Sequence, residues 1–138
     1  MKLLTKYFII FSVGAVLYFF GEILWRGHSH PTMLLLGGIC FLIIGLINEL
    51  FPHKIPFLLQ MLAGTAVITA SELIAGIILN LKLHMNIWSY SDMPLNFMGQ
   101  ICLPYIIGWF FLTPACIVLD DYLRYFFFDG EKPHYKLI

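Results

Sequence analysis

Apolar residues run along this chain in four long stretches, each broken from the next by a short polar interruption. The stretches cover about residues 4–25, 32–51, 57–81 and 97–119. Each is close to the roughly 20 residues that an α-helix needs to cross the hydrocarbon of a bilayer. The pattern predicts an all-α integral membrane protein, with four transmembrane helices in a compact bundle, short loops and a short amphipathic C-terminal tail. The whole of 1–138 reads as one transmembrane domain. The interruptions have visible causes. Gly27-His28-Ser29-His30-Pro31 ends the first stretch in a polar turn, and Pro52 and Pro56 bracket the second break. Residues 82–96, rich in Asn, Ser, Asp and Pro, form the longest connection. Lys2 and Lys6 precede the first stretch as in a signal peptide. No small-x-small cleavage site follows, however, and Glu22, Trp25 and Arg26 close the run, which predicts a retained helix.

Composition agrees with this reading. Hydrophobic residues make up 60% and charged residues 12%, against roughly 25% charged in a soluble domain. The net charge of zero gives no electrostatic basis for a nucleic-acid partner. Cys40, Cys102 and Cys116 lie in apolar stretches without metal-type spacing and read as buried free thiols. Four spans place Lys2, Lys6, Lys54, Arg124, Lys132 and Lys136 on one side, and only Arg26 and Lys82 on the other. Because basic residues stay on the cytoplasmic side, both termini are expected in the cytoplasm, and the expected location is a bacterial cytoplasmic membrane.

The polar residues inside the stretches carry the chemistry. Glu72 sits within a nearly unbroken apolar run, where a carboxylate costs at least ~2.5 kcal/mol on insertion scales. Helical spacing puts Thr65, Thr69, Glu72, Gly76 and Asn80 in one stripe, the pattern of a packing face. Glu22 and Arg26, four apart, can pair along the first helix. Gly38, Gly45 and Glu49 share a face of the second, and Asn96, Gln100, Pro104 and Gly108 share a face of the fourth, with Pro104 expected to kink it. The derived topology gathers Glu22, Arg26, His28, Glu72, Asn80, Trp88, Asn96 and Gln100 in the outer half. It predicts an outward-opening pocket with Glu72 at its floor, the Glu22–Arg26 pair at its rim, and a small polar or amphipathic ligand. Each element also has a plainer reading: a neutral structural acid for Glu72, an interfacial ion pair for Glu22 and Arg26, and an aromatic belt for Trp88 and Tyr90. Asp120 to Phe128 reads as an interfacial helix or the fraying end of the fourth span. His28 and His30 alone are weak evidence for a metal, so neither a metal nor a cofactor is expected.

Certain residues together resemble a known family. Gly21-Glu22, Arg26-Gly27-His28, Thr69-x-x-Glu72, Trp88-Ser89-Tyr90-Ser91, Pro94-x-Asn96-x-x-Gly99-Gln100-Ile101-Cys102-Leu103 and Trp109 are similar to the "putative ABC-transporter type IV" (CmpB-like) membrane proteins, a group that includes the transmembrane-protein-229 proteins. Ser89 stands where those proteins have Asp, so no carboxylate role transfers to that position. The loop His28-Ser29-His30-Pro31 also departs from the usual aromatic and Gly-Pro pattern. The resemblance implies a permease-like transporter component. The chain has no P-loop sequence, so a separate ATPase or other membrane subunit would supply the energy. A chain this small would form a homo- or hetero-oligomer, surrounded by membrane lipid. Two other readings stay open. One is an intramembrane lipid or headgroup enzyme using Glu72 with His28 or His30; the other is a non-catalytic scaffold whose polar stripe only joins helices. The orientation is directly testable. A fluorescent protein fused to either terminus is expected to fluoresce and alkaline phosphatase fused there to stay inactive; the reverse pattern would invert the topology.

Overall fold

The computed structural model describes residues 3–50, 55–128, 130, 132–133 and 135. Helix α1 (Leu3–Arg26) ends where Gly27 takes a left-handed φ of 83° and returns its N–H to the Ile23 carbonyl. Helix α2 (Thr32–Leu50) starts just after His30, whose Nδ1 accepts the Thr32 backbone N–H at 3.2 Å. Helix α3 (Phe57–Gly76) passes without a break into a π-helical turn, Ile77–Lys82. A small antiparallel hairpin follows, β1 (Asn96–Phe97) paired to β2 (Ile101–Cys102), with Asn96 opposite Cys102 and Phe97 opposite Ile101. Helix α4 (Leu103–Phe127) completes the bundle.

Three helical runs, Leu3–Arg26, Phe57–Lys82 and Leu103–Phe127, are long and apolar enough to cross a membrane. The apolar part of α2 is shorter, Thr32–Ile47, so the four expected stretches are not four equal spans. The fourth helix also begins later and ends later than its apolar run predicts. Leu95, Met98 and Gly99 adopt left-handed backbone, with φ of 54°, 57° and 72°, which is incompatible with a right-handed helix over 95–99. Pro104 therefore lies in the first turn of α4, where its missing N–H has no intrahelical partner to lose. The expected kink there is replaced by an interior proline at Pro114. At the other end, Asp120–Phe127 continues α4 as regular helix, and Asp120, Asp121 and Arg124 are buried in it. Of the residues used to argue turns and orientation, Lys2, Pro52, Lys54 and Lys136 lie outside the described residues.

Small residues set how closely the helices approach, as they do where lipid offers no hydrophobic drive to packing. A Cβ on Gly14 would overlap the Phe41 ring, and one on Gly37 would overlap Tyr18, so α1 and α2 interlock glycine against ring in both directions. Gly64 of α3 lies against Thr113 of α4, and Gly45 of α2 against the Asp120 carboxyl. Gly45 and Glu49 thus turn toward α4, while Gly38 meets Phe11 of α1. Most of the polar stripe of α3 faces inward: Thr65, Glu72 and Gly76 are buried, Thr69 is half-buried, and Asn80 is buried in the π turn. The segment between α3 and α4 closes one end of the bundle, anchored by a buried cluster of Met33, Ile87 and Trp88. At the opposite end Tyr135 folds back, packs its ring on Phe57 at 4.8 Å and donates its hydroxyl to Asp121.

The close approach at Gly45 gives a prediction. Gly45→Val is expected to lower the thermal unfolding midpoint in detergent, corresponding to about 1–3 kcal/mol of overpacking. Gly21→Ala, whose new Cβ meets nothing within 4 Å, is expected to leave the midpoint unchanged or raise it.

Candidate functional site

Glu72 is 4% exposed, well inside the bundle. Its Oε2 accepts a hydrogen bond from the Tyr90 hydroxyl at 3.2 Å, and its Oε1 has no hydrogen-bond partner among the described residues. The Trp109 indole of α4 neighbours the carboxylate, yet its buried N–H completes no hydrogen bond. Rings extend from this point. Tyr90 stacks on Tyr105 with centroids 4.7 Å apart and planes 21° from parallel. Tyr105 lies 6.4 Å from Trp109, one helical turn on, and Tyr18 of α1 presents an edge to Trp109 at 6.3 Å. Trp25 donates its indole N–H to the Tyr105 hydroxyl at 3.3 Å. Burial first, and then the Glu72 charge, hold the Tyr90 phenol well above its ordinary value, so Tyr90 remains a donor.

Glu22 and Arg26 do pair along α1, with Nη2 to Oε1 at 3.6 Å, and the Ser29 hydroxyl donates to the same Glu22 oxygen at 2.6 Å. Glu72 lies within reach of both charges. The Arg26 Nε and Nη2 are buried without hydrogen-bond partners among the described residues. A cavity of about 160 Å³ adjoins this pair, lined by Arg26, His28, Ser29, His30 and residues 85–87. His30 is engaged with Thr32 through its Nδ1. A larger hollow of about 500 Å³ lies along α1 between Leu4 and Phe11, but only five residues of that one helix line it and none is charged.

Asn80, Trp88, Gln100 and Asn96 occupy a different arrangement. Asn80 donates Nδ2 to Gln100 Oε1 at 2.8 Å and accepts the Ile87 backbone N–H at 2.7 Å. Trp88 donates its indole N–H to the Gln100 carbonyl, and Gln100 Nε2 donates to the Met98 carbonyl, both at 3.0 Å. These contacts tie the covering segment to the end of α3. Asn96 donates to the Ser91 and Met93 carbonyls and accepts the Gly99 N–H, which fixes the hairpin turn. Glu22, Arg26 and Glu72 are therefore brought together and His28 is set beside them. Asn80, Trp88 and Gln100 form a latch, and Asn96 shapes a loop. Asn96 and Gln100 do not share a face of α4, since both precede it.

Two groups escaped sequence reasoning. Tyr105 and Trp109 carried a signal, since two aromatic residues four apart share one helix face. So did Asp120 and Arg124, also four apart. At the end of the bundle away from Glu72, Arg124 Nε donates to Asp120 Oδ2 at 2.8 Å and its Nη1 reaches Glu49. Lys6 Nζ meets Glu49 at 2.8 Å, and Tyr7 donates to the same carboxylate. Among the described residues no three His, Cys, Asp or Glu side chains are grouped to hold a metal ion.

Apolar helices of membrane-crossing length with carboxylates enclosed between them define an integral membrane protein. The family described as "Putative ABC-transporter type IV" matches residues 3–125, and the chain belongs to that family. No curated protein and no solved structure matches it.

The latch can be tested by removing its shared acceptor. Gln100→Leu leaves the buried Asn80 amide unpaired, a cost of about 1–3 kcal/mol. Amide hydrogen exchange over 83–102 is expected to speed up while the middle of α1 stays protected. Equal exchange in variant and parent would show that the segment is held by other contacts.

Proposed function

We propose that this chain is the membrane-embedded, permease-like component of a transport system. It binds a small polar or amphipathic ligand in the outer half of the bundle, with Glu72 at the floor and Glu22 and Arg26 at the rim. The observation that carries this reading is a group of buried polar atoms near Glu72 that complete no hydrogen bond: Glu72 Oε1, the Trp109 N–H and the Nε of Arg26. A buried polar atom left unpaired costs about 1–3 kcal/mol, and more when it is charged. An acid inside a membrane protein is a functional group by default. A ligand bearing complementary atoms would satisfy these groups together.

In this reading His28 borders the entrance, while Asn80, Trp88, Asn96 and Gln100 act by holding the covering segment in place. Energy comes from a separate ATPase subunit, as the family's description suggests. Both termini lie in the cytoplasm of a bacterial cell, the site opens away from it, and the chain assembles with copies of itself or with another membrane subunit. Kinship to the transmembrane-protein-229 proteins belongs to the same proposal. The acid–base reading has less support, because His30 is already engaged with Thr32.

Native mass spectrometry of the detergent-purified protein tests this directly. The parent is expected to carry a small molecule that Glu72→Gln loses by at least roughly tenfold, equivalent to about 1.4 kcal/mol. Circular dichroism confirms that the variant is folded. A ligand retained equally by both proteins, or no ligand in either, would favour a scaffold whose polar stripe only joins helices.

A further inference from the structure

The charge balance around Glu72 narrows the ligand. Arg26, the nearest basic group, is already paired with Glu22 on its own helix, and Ser29 fixes Glu22 in place. That pair is neutral as a unit. Among the described residues no Lys, Arg or His forms an ion pair with Glu72, so a bound cation would be the partner that favours its ionised form. The other groups about it are the Cys40 thiol of α2 and a set of rings. Tyr18 from α1, Tyr105 and Trp109 from α4, and Tyr90 from the connecting segment form a continuous aromatic set, with neighbouring centroids between 4.7 and 6.4 Å apart. All four residues are half-buried.

An aromatic face carries negative quadrupole charge and attracts a cation within about 6 Å of the centroid, more strongly once water is excluded. An anion meets repulsion from both the faces and Glu72. A neutral ligand gains from the apolar area but not from the charge. We infer that the Glu72 centre takes an amphipathic organic cation, whose ammonium or phosphonium group sits against the carboxylate while its apolar body lies on Tyr18, Tyr90, Tyr105 and Trp109. This inference rests on the reading of Glu72 as the floor of a ligand site and adds the ligand's charge and shape.

The test uses the full chain in lipid nanodiscs and radiolabelled tetraphenylphosphonium, with neutral triphenylphosphine oxide as competitor. Saturable binding is expected that excess unlabelled phosphonium displaces and the neutral compound does not. Glu72→Gln is expected to weaken it at least roughly tenfold and Trp109→Leu several-fold, with helical content retained. Absence of saturable binding, equal competition by the neutral compound, or an unchanged affinity in Glu72→Gln would each overturn the inference. Should Glu72→Gln not fold, an unchanged affinity in Trp109→Leu overturns it equally. If mass spectrometry finds a neutral or anionic molecule that Glu72→Gln releases, the cation assignment falls and the ligand site stands. A co-purified molecule indifferent to Glu72→Gln removes both.

Discussion

A charge that cannot reach water has to be enclosed and answered, and this requirement organises the bundle at two levels. Near the hairpin, Glu72 is shielded by α1, α4 and the connecting segment and receives one hydrogen bond. Toward the opposite end, Asp120 and Arg124 are buried together and joined to Glu49 and Lys6. Gly64 meets Thr113 on the facing helix. Counting outward from that contact along antiparallel α3 and α4, the two carboxylates stand about 22 Å apart along the axis, at ~1.5 Å per residue. That distance is most of the ~30 Å thickness of a bilayer's hydrocarbon core.

The two levels are built differently. The Asp120 level supplies opposite charges from three helices, together with Tyr7 and the returning Tyr135, so α1, α2, α4 and the tail are cross-linked there. Breaking one member of such a buried set leaves an uncompensated charge. The Glu72 level supplies rings and two neutral donors, with the cation already taken by Glu22. Both levels keep buried polar atoms without a hydrogen bond, Asp120 Oδ1 and Arg124 Nη2 at one and Glu72 Oε1 at the other; the Asp120 level differs in joining its charges by ion pairs between helices. Glycines make both possible, since Gly45 admits the Asp120 carboxyl and Gly76 admits the Gln100 side chain that holds the cover.

Hydropathy and spacing made much of this legible. The extents of α1 and of the Phe57–Lys82 run follow the apolar stretches, the inward stripe of α3 follows its 100° period, and the Glu22–Arg26 pair follows its four-residue spacing. What remained hidden has physical causes. The hairpin before α4 depends on left-handed backbone at Leu95 and Met98, which are apolar and not glycine, so nothing in their hydropathy marks a turn. Asp120, Asp121 and Arg124 read as the fraying end of a span because charge is scored outward, while what encloses them includes Glu49 of α2, 75 residues from Arg124, and Tyr135 of the returning tail. Asn80 and Gln100 were legible as inward polar groups, but that they satisfy each other depends on a fold that brings residues 20 apart together. Tyr105 and Trp109 were disguised by an aromatic-rich neighbourhood, in which ring content alone does not distinguish a site from an interfacial belt.

The π-helical turn that ends α3 has a further effect. Its looser winding is visible where the Leu83 N–H returns to the Ile78 carbonyl, five residues back rather than four. Each residue there advances through a smaller angle than in an α-helix. Continued α-winding would carry Asn80 about 80° around the axis from Glu72. The slower turn brings Asn80 back toward the meridian of Glu72 and Gly76. The turn thus acts as a phase correction: it keeps acid, glycine and amide in one longitudinal file, so that the amide holding the covering segment and the buried acid share a single line along α3.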